Sequence, residues 1–109
     1  MIRQGDILLI PAHQAPATHE RSDAEVVLGL GEATGHSHVL HNAQWLVAPD
    51  TDVREFAATG ASTAPVFVVA GEDATLTHEE HDTLIVPLGI WRVVRQREYS
   101  PQAIRAVMD

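Results

Sequence analysis

The sequence has no cysteine, and all 7 of its basic residues are arginine rather than lysine. Without thiols there are no disulfides, no thiolate metal sites and no cysteine nucleophile. That is compatible with a reducing cytoplasm, the location we expect. Aromatic residues make up only 5% of the chain, yet the apolar fraction is 45%, enough for a packed core and too much for disorder. No apolar run approaches the roughly 20 residues of a membrane helix. Ile2-Arg3-Gln4-Gly5-Asp6 after Met1 is not a signal peptide, and no membrane association is expected. Positive charge is scarce: 15 acids oppose 7 bases, a formal charge of -8. Non-specific nucleic-acid binding depends on neutralising phosphates, so this balance disfavours it. Arg92, Arg95 and Arg97 still form a local basic stretch, and Arg95, Arg97 and Tyr99, on one face of the last strand, could bind an anion, a nucleic-acid backbone or a partner chain.

With 109 residues, the chain reads as one β-rich domain, 1–109. Ile7-Leu8-Leu9-Ile10 is a buried run ended by Pro11, and residues 12–24 read as a surface loop. Glu25 to Leu30 alternates, with Val26, Leu28 and Leu30 on one face. A strand from Ala33 to His41 puts His36, His38 and Leu40 on one face. Asn42-Ala43 reads as a turn into Gln44-Trp45-Leu46-Val47. Val53 to Ala57 reads as a weak strand, and Gly71-Glu72-Asp73 as a turn between Pro65–Val69 and Ala74–His78. The longest strand is Ile90 to Tyr99. Ser100-Pro101 is a helix start, followed by Ala103, Ile104, Val107 and Met108 at helical spacing. We therefore expect an all-β fold, a small antiparallel barrel or sandwich of about 7–9 strands, with a single helix at 101–108.

What the chain does have is histidine. Five of its 7 histidines lie in two short segments, Gly35-His36-Ser37-His38-Val39-Leu40-His41 and Thr77-His78-Glu79-Glu80-His81-Asp82. Neutral imidazole is the commonest protein metal ligand, and His-x-His places two rings on one side of a strand. Leu76 and His78 share a face, so three imidazoles can meet beside the core. Unpartnered, they would be costly to bury; a divalent cation would satisfy them. The polar Glu79-Glu80 pair suggests a bend that returns His81. The expected ligands are His36, His38, His78 and His81, with Glu79 or Glu80 as ligand, outer partner or general base. Zn²⁺ is the default metal; Fe²⁺, Mn²⁺ and Ni²⁺ also suit such donors. If catalytic, such a centre would serve a hydrolase or lyase using metal-activated water. The competing reading is a non-enzymatic adaptor whose histidines are structural. His41 alternates away from the site, and His13 and His19 look solvated.

The spacing in His78-Glu79-Glu80-His81 is three, not the four of the helical metalloprotease motif. No nucleophile elbow or phosphate loop is present. The pattern is partly similar to the cupin motifs: Gly31 precedes His36-Ser37-His38, and Pro87-Leu88-Gly89 matches the second motif. Arg92 stands where the last cupin metal histidine would be. The whole chain resembles a group of small bacterial and phage proteins of uncharacterised function. The shared look lies in Gln4-Gly5-Asp6, Gly31-Glu32-Ala33-Thr34-Gly35-His36-Ser37-His38, His78-Glu79-Glu80-His81 and Arg95-Gln96-Arg97-Glu98-Tyr99. That resemblance implies a stand-alone protein and carries no activity. Small size and apolar content further imply a homo-oligomer, most simply a two-fold dimer in which the last strand or terminal helix takes part.

Overall fold

The computed structural model describes residues 1–31 and 35–96. The expected terminal helix, and Arg97 to Tyr99 of the last strand, lie outside those residues. Among the described residues the strands are β1 (Ile2–Gln4), β2 (Ile7–Ala12), β3 (Glu20–Ser22), β4 (Val26–Leu30), β5 (Ser37–Val47), β6 (Val66–Thr77), β7 (Leu84–Ile85) and β8 (Gly89–Arg95). One helix, α1 (Val53–Thr59), joins β5 to β6. Every strand pairing is antiparallel. The strand order is β1-β2-β8-β6-β5-β3, with β4 added to β5 and β7 added to β6. The all-β class holds, but the sheet is not closed into a barrel. The ends of the path, β1 and β3, are only three residues each, too short to carry the matched, staggered edges that closure needs.

The two long strands organise the sheet. The first part of β5 pairs β4 and the end of β6; its second part pairs β3 and the start of β6. Between them the register shifts, and Gly71 to Ala74 of β6 oppose Asn42 alone. The turns expected at Asn42-Ala43 and Gly71-Glu72-Asp73 are thus bulges within continuous strands. Asn42 and Asp73 adopt positive φ, 58° and 57°, conformations that asparagine and aspartate tolerate. Asn42 Nδ2 also donates to the Asp73 carbonyl at 3.2 Å. Bulges bend the strands that carry them, and here β5 and β6 each serve both parts of one sheet. A single core joins those parts: Trp45, Ile7, Leu9, Leu28, Leu76, Val68 and Val86 are fully buried. A smaller shift between Val27 and Gly29 breaks the expected alternation in β4, and Leu30 ends 41% exposed.

The helix corrects the expectation of a strand at Val53 to Ala57 and of a single helix at 101–108. Val53, Phe56 and Ala57 have the spacing of a helix face, and Phe56 and Ala57 are buried. Asp52 caps the start, its Oδ1 accepting from the Arg54 and Glu55 backbone N–H groups at 3.1 Å. Gly60 ends it in the left-handed region, φ 77°, with its N–H on the Phe56 carbonyl. Phe56 meets Trp45 edge-on, ring centroids 6.2 Å apart, which fixes α1 against the core.

Candidate metal centre

The two histidine segments meet because the start of β5 pairs with the end of β6: Val39 stands opposite Thr77. His36 and His38 thereby come alongside His78, and the loop after β6 brings back His81. Ring centroids are 5.6 Å apart for His36 and His78, 4.3 Å for His38 and His78, and 4.6 Å for His78 and His81. All four expected ligands are therefore in one cluster. Only His38 is buried; His36 and His78 are half-buried and His81 exposed.

His38 is held from both sides. Gln4 at the end of β1 is 3% exposed, and its Nε2 donates to the carbonyls of Leu76 and Asp82 at 3.0 and 2.9 Å. Carbonyls only accept, so the amide orientation is fixed and Oε1 must face His38 Nδ1, 2.9 Å away. His38 Nδ1 therefore carries the hydrogen. Its Nε2 faces Asp6 Oδ1 at 3.4 Å, and Asp6 Oδ2 accepts from Arg95 Nη2 and Nε at 2.9 and 3.3 Å. Arg95 Nη1 in turn donates to the Ala57 carbonyl at 2.7 Å, at the end of α1. The contact with His38 holds the Asp6 carboxyl well below the usual carboxylate range; Arg95 adds to this and partial burial opposes it. Two glycines let the backbone close around the ring. A Cβ on Gly5, which lies at φ 60°, would be 3.1 Å from His38 Cε1 and 3.0 Å from His81 Nε2; one on Gly29 would be 3.2 Å from His38 Cδ2.

The remaining groups face outward. His78 Nδ1 accepts the Glu80 backbone N–H at 3.0 Å, so a neutral His78 carries its proton on Nε2. Loss of hydration holds His78 below the ordinary imidazole range, reinforced by His38 and His81 and opposed by Glu79. Glu79 Oε2 accepts from the Ser37 N–H at 3.0 Å. Its own backbone N–H, then that of Ser37, holds Glu79 below the ordinary carboxylate range. Glu80 Oε1 lies 3.1 Å from His36 Nδ1. One ligand atom each from His36, His78 and Glu79 all fall within 4.8 Å of one another.

Among the expected site residues, then, His36, His78 and Glu79 form the convergent donor set. His38 is tied to Gln4 and Asp6, His81 lies beside His78, and Glu80 pairs with His36. His41 is exposed and bonds Thr77 Oγ1 at 2.9 Å. His19 is not solvated as expected: it is half-buried, packs edge-on against Phe67 at 5.2 Å, and its Nε2 meets the Pro65 carbonyl. Arg92 projects from β8 on the side opposite Trp91 and Val93 and takes no part in the cluster. Sequence reasoning missed Gln4, Asp6 and Arg95 as site residues. Gln4-Gly5-Asp6 carried a hint, a polar pair around a glycine just before a buried run. Arg95 carried none, because it meets Asp6 across 89 residues.

The chain matches the family described as a domain of unknown function, DUF8820, over residues 3–96, and it belongs to that family. The match runs from within β1 through β8 and includes every residue of the cluster. No curated protein and no solved structure matches it.

Proposed function

We propose that this member of the DUF8820 family binds one divalent cation, Zn²⁺ by default, between His36, His78 and Glu79. The observation that carries the proposal is the convergence of those three donors within 4.8 Å. Tetrahedral zinc at about 2.0–2.1 Å sets its ligand atoms about 3.4 Å apart. The three groups must therefore draw in by at most about 1.4 Å, within reach of side-chain rotation at half-buried and exposed positions. The donor chemistry fits. Glu79 is ionised well below neutral pH, and His78 resists protonation. Glu80 beside His36 Nδ1 is the carboxylate–imidazole pairing that orients a metal ligand, with Nε2 the atom that would take the metal. His78 must give up its bond from the Glu80 N–H to ligate through Nε2, because that nitrogen has to lose its proton to Nδ1.

His81 completes a four-ligand structural site if it swings in from beside His78. If water takes that position instead, bound zinc lowers its pKa to about 7, and Glu80 is the nearby base of a hydrolytic centre. His38, fixed at Nδ1 by Gln4, acts behind the site as a packed wall against which His78 rests.

Isothermal titration of untagged, metal-stripped protein with ZnCl₂, backed by elemental analysis, tests the reading. One ion per chain is expected. His36→Ala, His78→Ala and Glu79→Gln should each weaken binding at least tenfold, while His13→Ala and His41→Ala leave it intact. Absence of stoichiometric binding to Zn²⁺, Mn²⁺, Fe²⁺ and Ni²⁺ would overturn it and leave the adaptor reading.

A further inference from the structure

A groove of about 460 Å³ lies between β4 and α1, within the size range of small-molecule sites. Its walls are apolar: Val27 and Leu30 on β4, Val53 and Ala57 on α1. The bulge in β4 builds it. Val27 pairs with Val39 and Leu30 with Ser37. Val39 and Ser37 share one face of β5, so Val27 and Leu30 share a face although they are three residues apart. Without the bulge, alternation would carry Leu30 inward after Val26 and Leu28; instead it is exposed. One end of the groove opens beside the metal centre. Ser37, opposite Leu30, donates its N–H to Glu79 Oε2 at 3.0 Å. Gly31, the next residue, donates to the His36 carbonyl at 2.6 Å. Paired residues are about 4.5–5.5 Å apart, so Leu30 is one strand away from the point where Glu79 is anchored. Ala57 and Gly29 both meet Arg95: its Nη1 donates to the Ala57 carbonyl at 2.7 Å, and a Cβ on Gly29 would be 3.5 Å from its Cζ. Ala57 therefore sits toward the Leu30 end and Val53 toward Glu25. The charged residues of the lining, Glu25 and Arg54, stand at that far end, roughly 15 Å from Leu30 at about 3.3 Å per residue. Their charges are opposite, and the walls between are neutral.

We propose that this groove is the ligand subsite of the metal centre: it takes the unbranched apolar tail of a molecule whose neutral acyl head, an ester or amide carbonyl, reaches the ion. The inference rests on the reading of His36, His78 and Glu79 as metal ligands. A trough walled by four aliphatic side chains and open toward the centre matches a linear chain that enters tail first. The head is neutral because carboxylates surround the donors. Glu80 lies 3.1 Å from His36 Nδ1 and Asp82 follows His81, both exposed; they repel a free carboxylate or a phosphate. An ester or amide carbonyl approaches the cation without that opposition, and an open divalent site polarises such a carbonyl. The bulge thus has a role in recognition: it turns one leucine out of the core and sets it at the mouth of the site.

Isothermal titration of the zinc-loaded full chain with unbranched alkyl hydroxamic acids, from acetohydroxamic to octanohydroxamic acid, tests this. The head chelates the ion and the tail probes the groove. Affinity should rise roughly two- to fourfold for each added methylene, the range from half to full burial of that group. Leu30→Asp and Val53→Asp should each remove most of the dependence on length. Leu30 is exposed, so that variant reports even if Val53→Asp fails to fold. Leu88→Asp, at an apolar position 66% exposed and outside the groove, should keep it. Affinity independent of length overturns the proposal while the metal reading stands. So does a length dependence that Leu30→Asp leaves unchanged or that Leu88→Asp abolishes, octanoate binding as tightly as octanohydroxamic acid, or a zinc-loaded chain that binds no acetohydroxamic acid. A chain that binds no zinc overturns both readings together.

Discussion

Replacing Gln4 tests the logic of the buried support beneath the histidines. Its amide makes three hydrogen bonds from a side chain that is 3% exposed: two donated to carbonyls, one accepted from His38. Gln4→Leu keeps the volume and removes all three. Asp82 is exposed and its carbonyl can turn to water. The Leu76 carbonyl and His38 Nδ1 are buried, and each buried group left unsatisfied costs about 1–3 kcal/mol. The better transfer of leucine offsets about 1 kcal/mol. The net loss should be about 1–5 kcal/mol, or roughly 5–25 °C in Tm for a domain of this size. Gln4→Glu is the sharper comparison. It is nearly isosteric and still accepts from His38, but at neutral pH it sets a carboxylate oxygen against two carbonyl oxygens. It should be more destabilising than Gln4→Leu at pH 7. Burial and the two carbonyls raise the introduced carboxyl's folded-state pKa above its unfolded value near 4.3, so the penalty should shrink as pH falls through the raised value. Urea denaturation followed by circular dichroism at pH 7 and pH 5 measures both effects. If Gln4→Glu is no worse than Gln4→Leu at pH 7, the amide is filling space rather than donating, and the assigned orientation of Gln4 and His38 is wrong.

The depressed Asp6 carboxyl contributes stability that is present above the unfolded pKa, about 4, and is lost as pH falls toward the folded value. Asp6→Asn should lower the neutral-pH urea midpoint and flatten that acid limb; an unchanged limb would refute it. His78 has the same sign from another starting point: the unfolded chain protonates first below about pH 6.5, so metal-free protein should lose stability from there downward, and His78→Gln should reduce the slope. Gly5→Ala combines a strained positive φ with a Cβ 3.0 Å from His81 Nε2. It should cost about 1–2 kcal/mol of stability and weaken metal binding, and a neutral result in both would count against the packing described. Saturation at 100 times Kd should stabilise the fold by about 2.7 kcal/mol, a rise in Tm that EDTA reverses and that His36→Ala does not show.

The meeting of the histidine segments was legible because it depends on alternation within strands: His38 with Leu40, and His78 with Leu76, share faces that the core orders. The all-β class followed from short apolar runs cut by turn residues. The helix was not legible as read, because five residues with apolar positions at Val53, Phe56 and Ala57 fit a weak strand nearly as well as one helical turn. Asp52 and Gly60 were the caps that should have decided it. The bulges were mistaken for turns because Asn42 and Gly71-Glu72-Asp73 have turn chemistry in either setting. Sequence cannot separate a chain that reverses from one that bends and continues. The support of His38 was out of reach for a different reason. Gln4 and Asp6 meet Leu76, Asp82 and Arg95 through tertiary pairing, and no local pattern encodes a partner so distant.

That separation has a consequence for how the protein is made. The ribosome delivers Asp6 and β2 early, but β8, the strand that pairs β2 and brings Arg95 to Asp6, comes 89 residues later. At roughly 5–20 residues per second that gap lasts about 4–18 s. Throughout it Ile7, Leu8 and Leu9 have no β8 to lie against, and the second histidine segment, which directly follows β6, precedes β8 by only a short stretch of chain. The donors and their buried backing therefore come together at the same late stage. A nascent chain should acquire metal affinity in one late step, when the second histidine segment and β8 leave the exit tunnel almost together.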